Sequence, residues 1–179
     1  MDRITKNNLV SDYKKIFLQK FKSTPAIISS APGRVNIIGE HTDYNLGLAM
    51  PMAIDKWIIS MISERSDKKI NIFLINYDKN IEFDLSELDY SNHLWEKYVK
   101  SAIKLISKDI TLNKGFNMLI GGNIPIGFGM SSSAALEVSV LNLILSHYGY
   151  EISKNDVLKK CNELENDLMG IKSGMLDQY

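Results

Sequence analysis

The order of the predicted secondary-structure elements is the feature that most constrains how this chain can fold. Short β-branched and aromatic segments, which predict strands, dominate the first part of the 179-residue chain, and helical periodicity dominates the second. A doubly wound parallel sheet needs a regular alternation of strand and helix, which this order lacks. The sequence therefore predicts an α+β domain.

Apolar periodicity and turn residues place the individual elements. Helical spacing predicts four helices, at residues 4–21, 95–106, 134–148 and 153–168. Apolar runs bounded by turn residues predict six short strands, at residues 26–30, 35–38, 54–62, 70–75, 80–83 and 116–120. Pro32-Gly33 is expected to form a turn or bulge, and residues 43–47 a turn. Gly149 is expected to end the third helix, and Ser153 to open the fourth in a capping box with Asp156.

Composition limits the partners that this chain can have. Basic and acidic residues number 21 each, so no net charge attracts nucleic acid or an anionic membrane. No apolar stretch approaches the roughly 18 residues that a membrane-spanning helix needs. The single cysteine, Cys161, cannot form an internal disulfide, which favours a reducing compartment. We therefore expect a cytoplasmic protein that binds neither nucleic acid nor membranes.

A glycine- and serine-rich loop lies between a predicted strand and a predicted helix, at residues 121–135. Gly127 and Gly129 allow backbone conformations that bring N–H groups close to an anion. The helix that begins near Ser132 adds unpaired N–H groups and the positive end of its dipole, and Ser133 could offer its hydroxyl to Mg²⁺. A plain strand–turn–helix junction with a serine cap is the alternative, and the Walker ending is missing. By itself the loop indicates phosphate binding without naming a reaction.

A second polar cluster, residues 31–45, lies beside a predicted strand. Glu40 and Asp43 can accept hydrogen bonds from neighbouring sugar hydroxyls, and His41 can donate or accept them. Arg34 carries a permanent charge that suits a phosphate or a carboxylate partner. Taken singly, each of these four residues also fits a solvated surface position, so spacing alone does not decide between the two interpretations.

Three segments resemble a known family. Residues 33–45, GRVNIIGEHTDYN, are similar to the galactokinase signature, and residues 125–135, PIGFGMSSSAA, to the second motif of the wider GHMP kinase superfamily. Residues 170–179, GIKSGMLDQY, resemble the segment that carries the family's catalytic aspartate. The chain also stops inside this segment instead of in an exposed polar linker. The resemblance identifies the chain as an N-terminal fragment of a member of the galactokinase family.

The resemblance implies a fold and a domain organisation. The whole chain, residues 1–179, would be a single N-terminal GHMP kinase domain. Its fold would be ribosomal protein S5 domain 2-like, a mixed sheet with helices packed on it. The galactose-binding segment would lie at about residues 20–60, and the ATP-phosphate loop at about residues 121–135. The C-terminal half that completes both clefts would be absent, so we expect the chain alone to have little or no kinase activity.

The resemblance also implies a reaction, ATP-dependent phosphorylation of galactose at its C1 hydroxyl with Mg²⁺ as cofactor. Asp177 matches the catalytic carboxylate and Arg34 the arginine beside it. Asp177 would either remove the hydroxyl proton or orient the hydroxyl. The other matches are the sugar contacts Glu40, His41, Asp43 and Gly174, the nucleotide-loop residues Gly127, Gly129, Ser131, Ser132 and Ser133, and the magnesium ligands Ser133 and Glu165. We expect Arg34 and the acidic cluster to fold back against Asp177, at the mouth of the loop.

Other functions are compatible with these motifs. A kinase for a related sugar, such as N-acetylgalactosamine or arabinose, would differ around the C2 and C5 substituents, and part of that wall lies outside the chain. A galactokinase-like regulator would sense sugar and ATP without turnover, although retention of Arg34 and Asp177 favours a catalytic ancestor. Phosphate transfer by the complete protein distinguishes a kinase from such a regulator. Three motifs in the family's order disfavour a purely structural domain.

Overall fold

Five strands form one mixed sheet in the computed structural model, which describes residues 5–39, 42, 47–88, 94–170 and 176–178. The strands are β1 (Ile27–Ile38), β2 (Met50–Glu64), β3 (Lys69–Leu74), β4 (Lys79–Asp84) and β5 (Phe116–Gly122). Their order across the sheet is β1-β2-β5-β3-β4. Neighbouring strands are antiparallel except β3 and β5, which are parallel. The predicted α+β fold with a mixed sheet is confirmed.

Helices account for most of the remaining described chain. They are α1 (Lys6–Phe21), α2 (Leu94–Ile106), α3 (Ser132–His147) and α4 (Lys154–Glu163). A 3₁₀ turn at Ile75–Tyr77 joins β3 to β4, and a π-helical segment, Leu164–Met169, continues α4. None of the helices in the described ranges is long and apolar enough to cross a bilayer. The predicted helices are confirmed to within a few residues, except that the last one changes to a π-helix.

Local sequence explains where the helices begin and end. Thr5 precedes α1 and its hydroxyl accepts a hydrogen bond from the Asn8 amide. Ser153 caps α4 in the same way through the Asp156 amide, as its capping-box spacing predicts. Gly149 follows α3 with φ +65°, a left-handed conformation that glycine adopts at little cost.

The sheet is covered on both faces because its central strands are apolar on both sides. Along β2, Ile58 and Ile62 point into a large core with α2, α3 and α4. The intervening Ile59 and Met61 point to the opposite face, where they meet Tyr13 and Phe17 of α1 among other apolar residues. This alternation follows from the two-residue period of a strand. Helix α3 is thereby fixed against β1 and β2, beside the loop that precedes it.

Strand β1 corrects one prediction. The two short strands predicted at residues 26–30 and 35–38 are a single strand, which pairs with β2 along its length. The pairing register shifts between Pro32 and Arg34, so the predicted bulge is present. Proline is tolerated here because β1 lies at the edge of the described sheet. The turn predicted at residues 43–47 lies outside the described residues except for Gly47.

Candidate functional site

The glycine-serine loop between β5 and α3 is bonded to the bulge in β1. The Arg34 amide donates to the Met130 carbonyl oxygen at 3.3 Å, and Arg34 Nη1 donates to the Gly129 carbonyl oxygen at 2.9 Å. At the bulge, a Cβ on Gly33 would lie 2.9 Å from the Met130 carbonyl oxygen. An added Cβ would force this contact to shift, so glycine at position 33 allows the loop and the strand to approach this closely.

The loop adopts the backbone conformation that its glycines permit. Gly127 and Gly129 have φ of +82° and +67°, and Ser131 also has a positive φ, of 52°. Ser131 occupies the N-cap position of α3, but its side chain makes no capping hydrogen bond. The alternative of a plain serine-capped junction therefore does not describe this helix. The N–H groups of its first turn are left for water or an anion, a common arrangement in phosphate sites.

Arg34, Ser131 and Asp177 come together at the mouth of this loop. Arg34 Nε donates to Asp177 Oδ1 at 2.8 Å, and Arg34 Nη2 contacts the same oxygen. The Ser131 hydroxyl donates to Asp177 Oδ2 at 2.7 Å. Both oxygens of the Asp177 carboxylate are thus held, one from strand β1 and one from the start of α3. The carboxylate is fixed in orientation yet remains partly exposed to the adjoining cleft.

That cleft has a volume of about 270 Å³ and lies between β1, the first turns of α3 and residues 176–178. Arg34 and Asp177 line it, together with the small side chains of Ala134 and Ala135. Small-molecule pockets span about 300–1,000 Å³, so the volume of this cleft lies just below that range. The arrangement places a charged pair on the wall of a concave site.

A buried acidic cluster lies directly behind Asp177. Glu137 of α3, Glu165 of the π-helical segment and Gln178 are 1%, 4% and 6% exposed. Gln178 Nε2 donates to Glu165 Oε2 at 2.9 Å and, more weakly, to Glu137 Oε2 at 3.4 Å. Burial, together with the charge of Glu165 and a hydrogen bond to it, raises the pKa of Glu137 to about 10. Glu137 is therefore harder to ionise than an ordinary glutamic acid.

Tyr98 of α2 connects this cluster to the start of α3. Its buried hydroxyl shares a hydrogen bond with the Ser133 side chain. Burial raises the pKa of Tyr98, and the nearby charges of Glu137 and Glu165 raise it further. Ser133, which the family resemblance pairs with Glu165 as a metal ligand, therefore bonds to Tyr98, while the Glu165 charge lies near enough to raise the pKa of Tyr98.

The donor set suits magnesium bound mainly by a nucleotide. In the described part of the chain, no group of three or more His, Cys, Asp or Glu residues could hold a metal ion. Ser133 and Glu165 supply two oxygen donors of the kind that Mg²⁺ prefers. Because Mg²⁺ usually takes most of its ligands from phosphates and water, two protein oxygens fit such a site.

The structure brings some of the predicted site residues together and leaves others outside its description. Arg34 and Asp177 are hydrogen-bonded to each other, and they also bond to Gly129 and Ser131 of the predicted loop. The predicted sugar contacts lie outside the described residues and stay predictions: Glu40, His41, Asp43 and Gly174.

Sequence reasoning missed Tyr98, Glu137 and Gln178. The available signal was Glu137, an acidic residue inside an otherwise apolar helix and four positions after Ser133. Such an acid is expected to have a specific partner, because unpaired charges are rarely buried. The only sequence signal for Gln178 was its position next to Asp177.

Two family models match the chain. Residues 15–64 match the galactokinase galactose-binding signature, and residues 97–179 match the GHMP kinases N terminal domain. The first match covers β1 and all of β2, and the second covers the loop, α3 and Asp177.

Curated relatives named galactokinase match almost the whole chain. The protein from Staphylococcus carnosus is 35% identical over 175 residues, which are 96% of this chain and 45% of that protein. The protein from Haemophilus influenzae is 37% identical over 171 residues, 94% of this chain and 44% of that protein. The chain thus spans somewhat less than half the length of the curated relatives that it matches.

Solved structures of a galactokinase and a mevalonate kinase are also similar to this chain. Lactococcus lactis galactokinase, solved in complex with galactose, superposes with a TM-score of 0.84 at 34% identity, over 95% of this chain and 45% of that one. Methanococcus jannaschii mevalonate kinase superposes with a TM-score of 0.76 at 26% identity, over 85% of this chain and 49% of that one.

Proposed function

Given that the chain belongs to the galactokinase family of the GHMP kinases, we propose that the complete protein phosphorylates D-galactose at its C1 hydroxyl with ATP. Since the chain spans 45% of the Staphylococcus carnosus relative, the proposal concerns the protein at its relatives' full length. One observation carries the proposal, namely the Arg34–Asp177 pair held against the mouth of the glycine-serine loop.

In the proposed reaction the C1 oxygen of galactose attacks the γ-phosphorus of ATP, and the bond to the β–γ bridging oxygen breaks to release ADP. Asp177 accepts the C1 proton or orients that hydroxyl. Phosphoryl transfer depends mostly on positioning and charge neutralisation. Arg34 serves both needs, because the same guanidinium holds the Asp177 carboxylate and the Gly129 carbonyl of the loop. The acceptor and the nucleotide are thereby positioned by one side chain.

The nucleotide phosphates are proposed to bind Gly127, Gly129 and the serines at the start of α3. Ser132 and Ser133 lie in the first turn of that helix, where unpaired N–H groups favour an anion. Ser131 contributes through its backbone N–H, because its hydroxyl already donates to Asp177. Ser133 and Glu165 would hold Mg²⁺, whose charge offsets that of the phosphates.

The sugar is proposed to bind near the end of β1. Glu40, His41, Asp43 and the Gly174 backbone would contact its hydroxyls. The galactose-binding signature over residues 15–64 supports this assignment, as does the cleft beside Arg34 and Asp177. The proposal includes a cytoplasmic location, where ATP is available and a free thiol such as Cys161 stays reduced.

The test is phosphorylation of galactose by the full-length protein, beside its Asp177→Asn variant. We expect transfer from ATP to galactose, and a fall in kcat of at least about 100-fold in the variant, because a positioned proton acceptor contributes that much. Asp12→Asn is the matched control, since Asp12 is an exposed acid of α1 paired with Lys15. Faster transfer to N-acetylgalactosamine or arabinose than to galactose would assign that sugar as the substrate. Binding of galactose and ATP without transfer would indicate a sensor instead of a kinase.

A further inference from the structure

Helix α3 holds the dipeptide Asp177-Gln178 at two separate points. At its start, the Ser131 hydroxyl donates to Asp177 Oδ2 at 2.7 Å. Further along the helix, the Glu137 carboxyl accepts from Gln178 Nε2 at 3.4 Å, and Gln178 also reaches Glu165 at 2.9 Å. The reacting carboxylate and its neighbour in the chain are therefore both attached to the helix that carries the phosphate loop.

The second attachment is buried and its polar atoms are not fully satisfied. Glu137 and Gln178 are 1% and 6% exposed. Within the part of the chain that the structure describes, Glu137 Oε1 and Gln178 Oε1 have no hydrogen-bond partner. Burying unpaired polar atoms costs free energy that an apolar pair of similar size would avoid. An arrangement that costs stability, directly behind a reactive group, is typical of functional sites.

We propose that Glu137 is a positioning residue for phosphoryl transfer, acting through Gln178 to hold Asp177 beside Arg34 and Ser131. This inference rests on the proposed function, because it assigns Asp177 to the reacting end of the sugar. Arg34 and Ser131 hold only the side chain of Asp177, one at each carboxylate oxygen. The contact of Glu137 with Gln178, beside that of Glu165, adds an attachment at the next residue of the chain. A displacement of about 1 Å at a reacting group can lower the rate about 100-fold, so the contact matters for turnover.

Three single variants of the full-length protein test the proposal. Glu137→Leu removes the contact, and Glu137→Gln keeps the size of the side chain and an oxygen acceptor, beside an NH₂ donor group. Ser139→Ala is the matched control. Ser139 is a buried polar residue of the same helix, and in the described part of the chain its hydroxyl pairs with that of Ser60, 2.6 Å away, rather than with Asp177 or Gln178.

Two experiments are needed. Steady-state kinetics give kcat and KM for galactose, and hydrogen–deuterium exchange of the ligand-free protein follows the peptide that contains residues 176–178. In Glu137→Leu we expect kcat to fall about 10- to 100-fold with KM changed less than about threefold, and exchange to become faster. Glu137→Gln should stay within about threefold of the parent in kcat. Ser139→Ala should lower the melting temperature and leave both readouts at the parent level.

Unchanged kcat and exchange in Glu137→Leu would overturn the proposal. So would a loss in Glu137→Gln equal to that in Glu137→Leu, or a loss that saturating Mg²⁺ restores, since either places Glu137 at the metal. Should Glu137→Leu fail to fold, Gln178→Met decides the question, with the same loss of kcat and faster exchange expected and parental values contradicting it. If the parent does not phosphorylate galactose, the proposed function fails, while the exchange comparison still tests the attachment.

Discussion

Arg34 joins three parts of the site through one side chain and one backbone amide. Its guanidinium donates to Asp177 and to the Gly129 carbonyl, and its amide donates to the Met130 carbonyl. The guanidinium offers donors in a fixed planar fork, whereas a lysine ammonium is a single compact charge on a flexible stem. At this position, geometry matters as much as charge.

Arg34→Lys in the full-length protein should therefore lower kcat/KM for galactose at least about tenfold, because lysine cannot hold the carboxylate and the loop carbonyl in the same geometry. Steady-state assays measure the change. Arg65→Lys is the matched control, since Arg65 donates from Nε and Nη2 to Asp67 in a turn after β2. A kcat/KM unchanged in Arg34→Lys, or equally reduced in Arg65→Lys, would contradict this role.

His147 makes stability depend on pH near neutrality. Burial lowers the pKa of His147 below its ordinary value, so the unfolded chain binds a proton more readily than the folded one. The free energy of unfolding should therefore fall as pH drops through about 6.5, the pKa of an unfolded histidine. In His147→Gln the fall between pH 7.5 and pH 5.5 should be smaller. Urea unfolding at the two pH values measures it, and identical changes in both proteins would rule out His147 as the cause.

At the scale of elements, two glycines allow the effect of backbone strain to be distinguished from an effect on function. One lies in the loop before α3 and the other follows α3. Gly129 and Gly149 have similar positive φ values, +67° and +65°. Among the described residues, an added Cβ at either position would meet no atom within 4 Å apart from those of its chain neighbours. Substitution at either glycine should therefore cost a similar amount through conformational strain alone, while only Gly129 lies in the proposed phosphate loop.

Gly129→Ala and Gly149→Ala form a matched pair on this basis. Each should lower the free energy of unfolding by about 1 kcal/mol, because alanine is strained at positive φ. Gly129→Ala alone should raise KM for ATP, by about tenfold or more if the loop conformation is disturbed. Chemical unfolding and steady-state kinetics of the full-length variants provide the two measurements. An equal KM for ATP in both would place the nucleotide away from this loop.

Most elements could be predicted from the sequence, and the exceptions have physical reasons. The capping box at Ser153 and the helix faces are local signals, and they placed α3 and α4 closely. The continuity of β1 across Pro32 depends on its edge position in the sheet, which no local pattern encodes. The π-helical segment at Leu164–Met169 differs from an α-helix by about one residue per turn, too little for apolar periodicity to reveal.

For the site, local chemistry indicated the types of residue but not their partners. The phosphate loop followed from its glycines and serines, whereas the pairing of Arg34 with Asp177 came from the family resemblance. Glu137 and Gln178 were missed because acidic and amide side chains are expected at the surface, and a buried acid bonded to an amide is rare. Their partners are set by the packing of α3 against residues 176–178, which are distant in the chain.

At the scale of the whole molecule, the site is assembled from distant parts of the chain. Arg34 lies 95 residues before Gly129 and 143 before Asp177. These contacts depend on β1 and α3 being fixed on the same sheet, whose central strands are buried on both faces. The site therefore forms only when the whole domain has folded.

The 179-residue chain should fold without being an efficient kinase. Its sheet and helices enclose two apolar cores, so we expect cooperative thermal unfolding followed by circular dichroism. It spans 45% of the length of the Staphylococcus carnosus relative, and we expect galactose phosphorylation in a coupled assay to be at background level. Turnover by the purified chain equal to that of the full-length protein would contradict this expectation.

The bulge at Pro32-Gly33 has a further consequence for solubility. Strand β1 is 12 residues long and lies at the margin of the described sheet, where an unbroken strand would offer a template to other copies of the chain. A proline and a shift in pairing interrupt that template midway. The irregularity beside Arg34 thus also interrupts the strand edge with which another chain could pair.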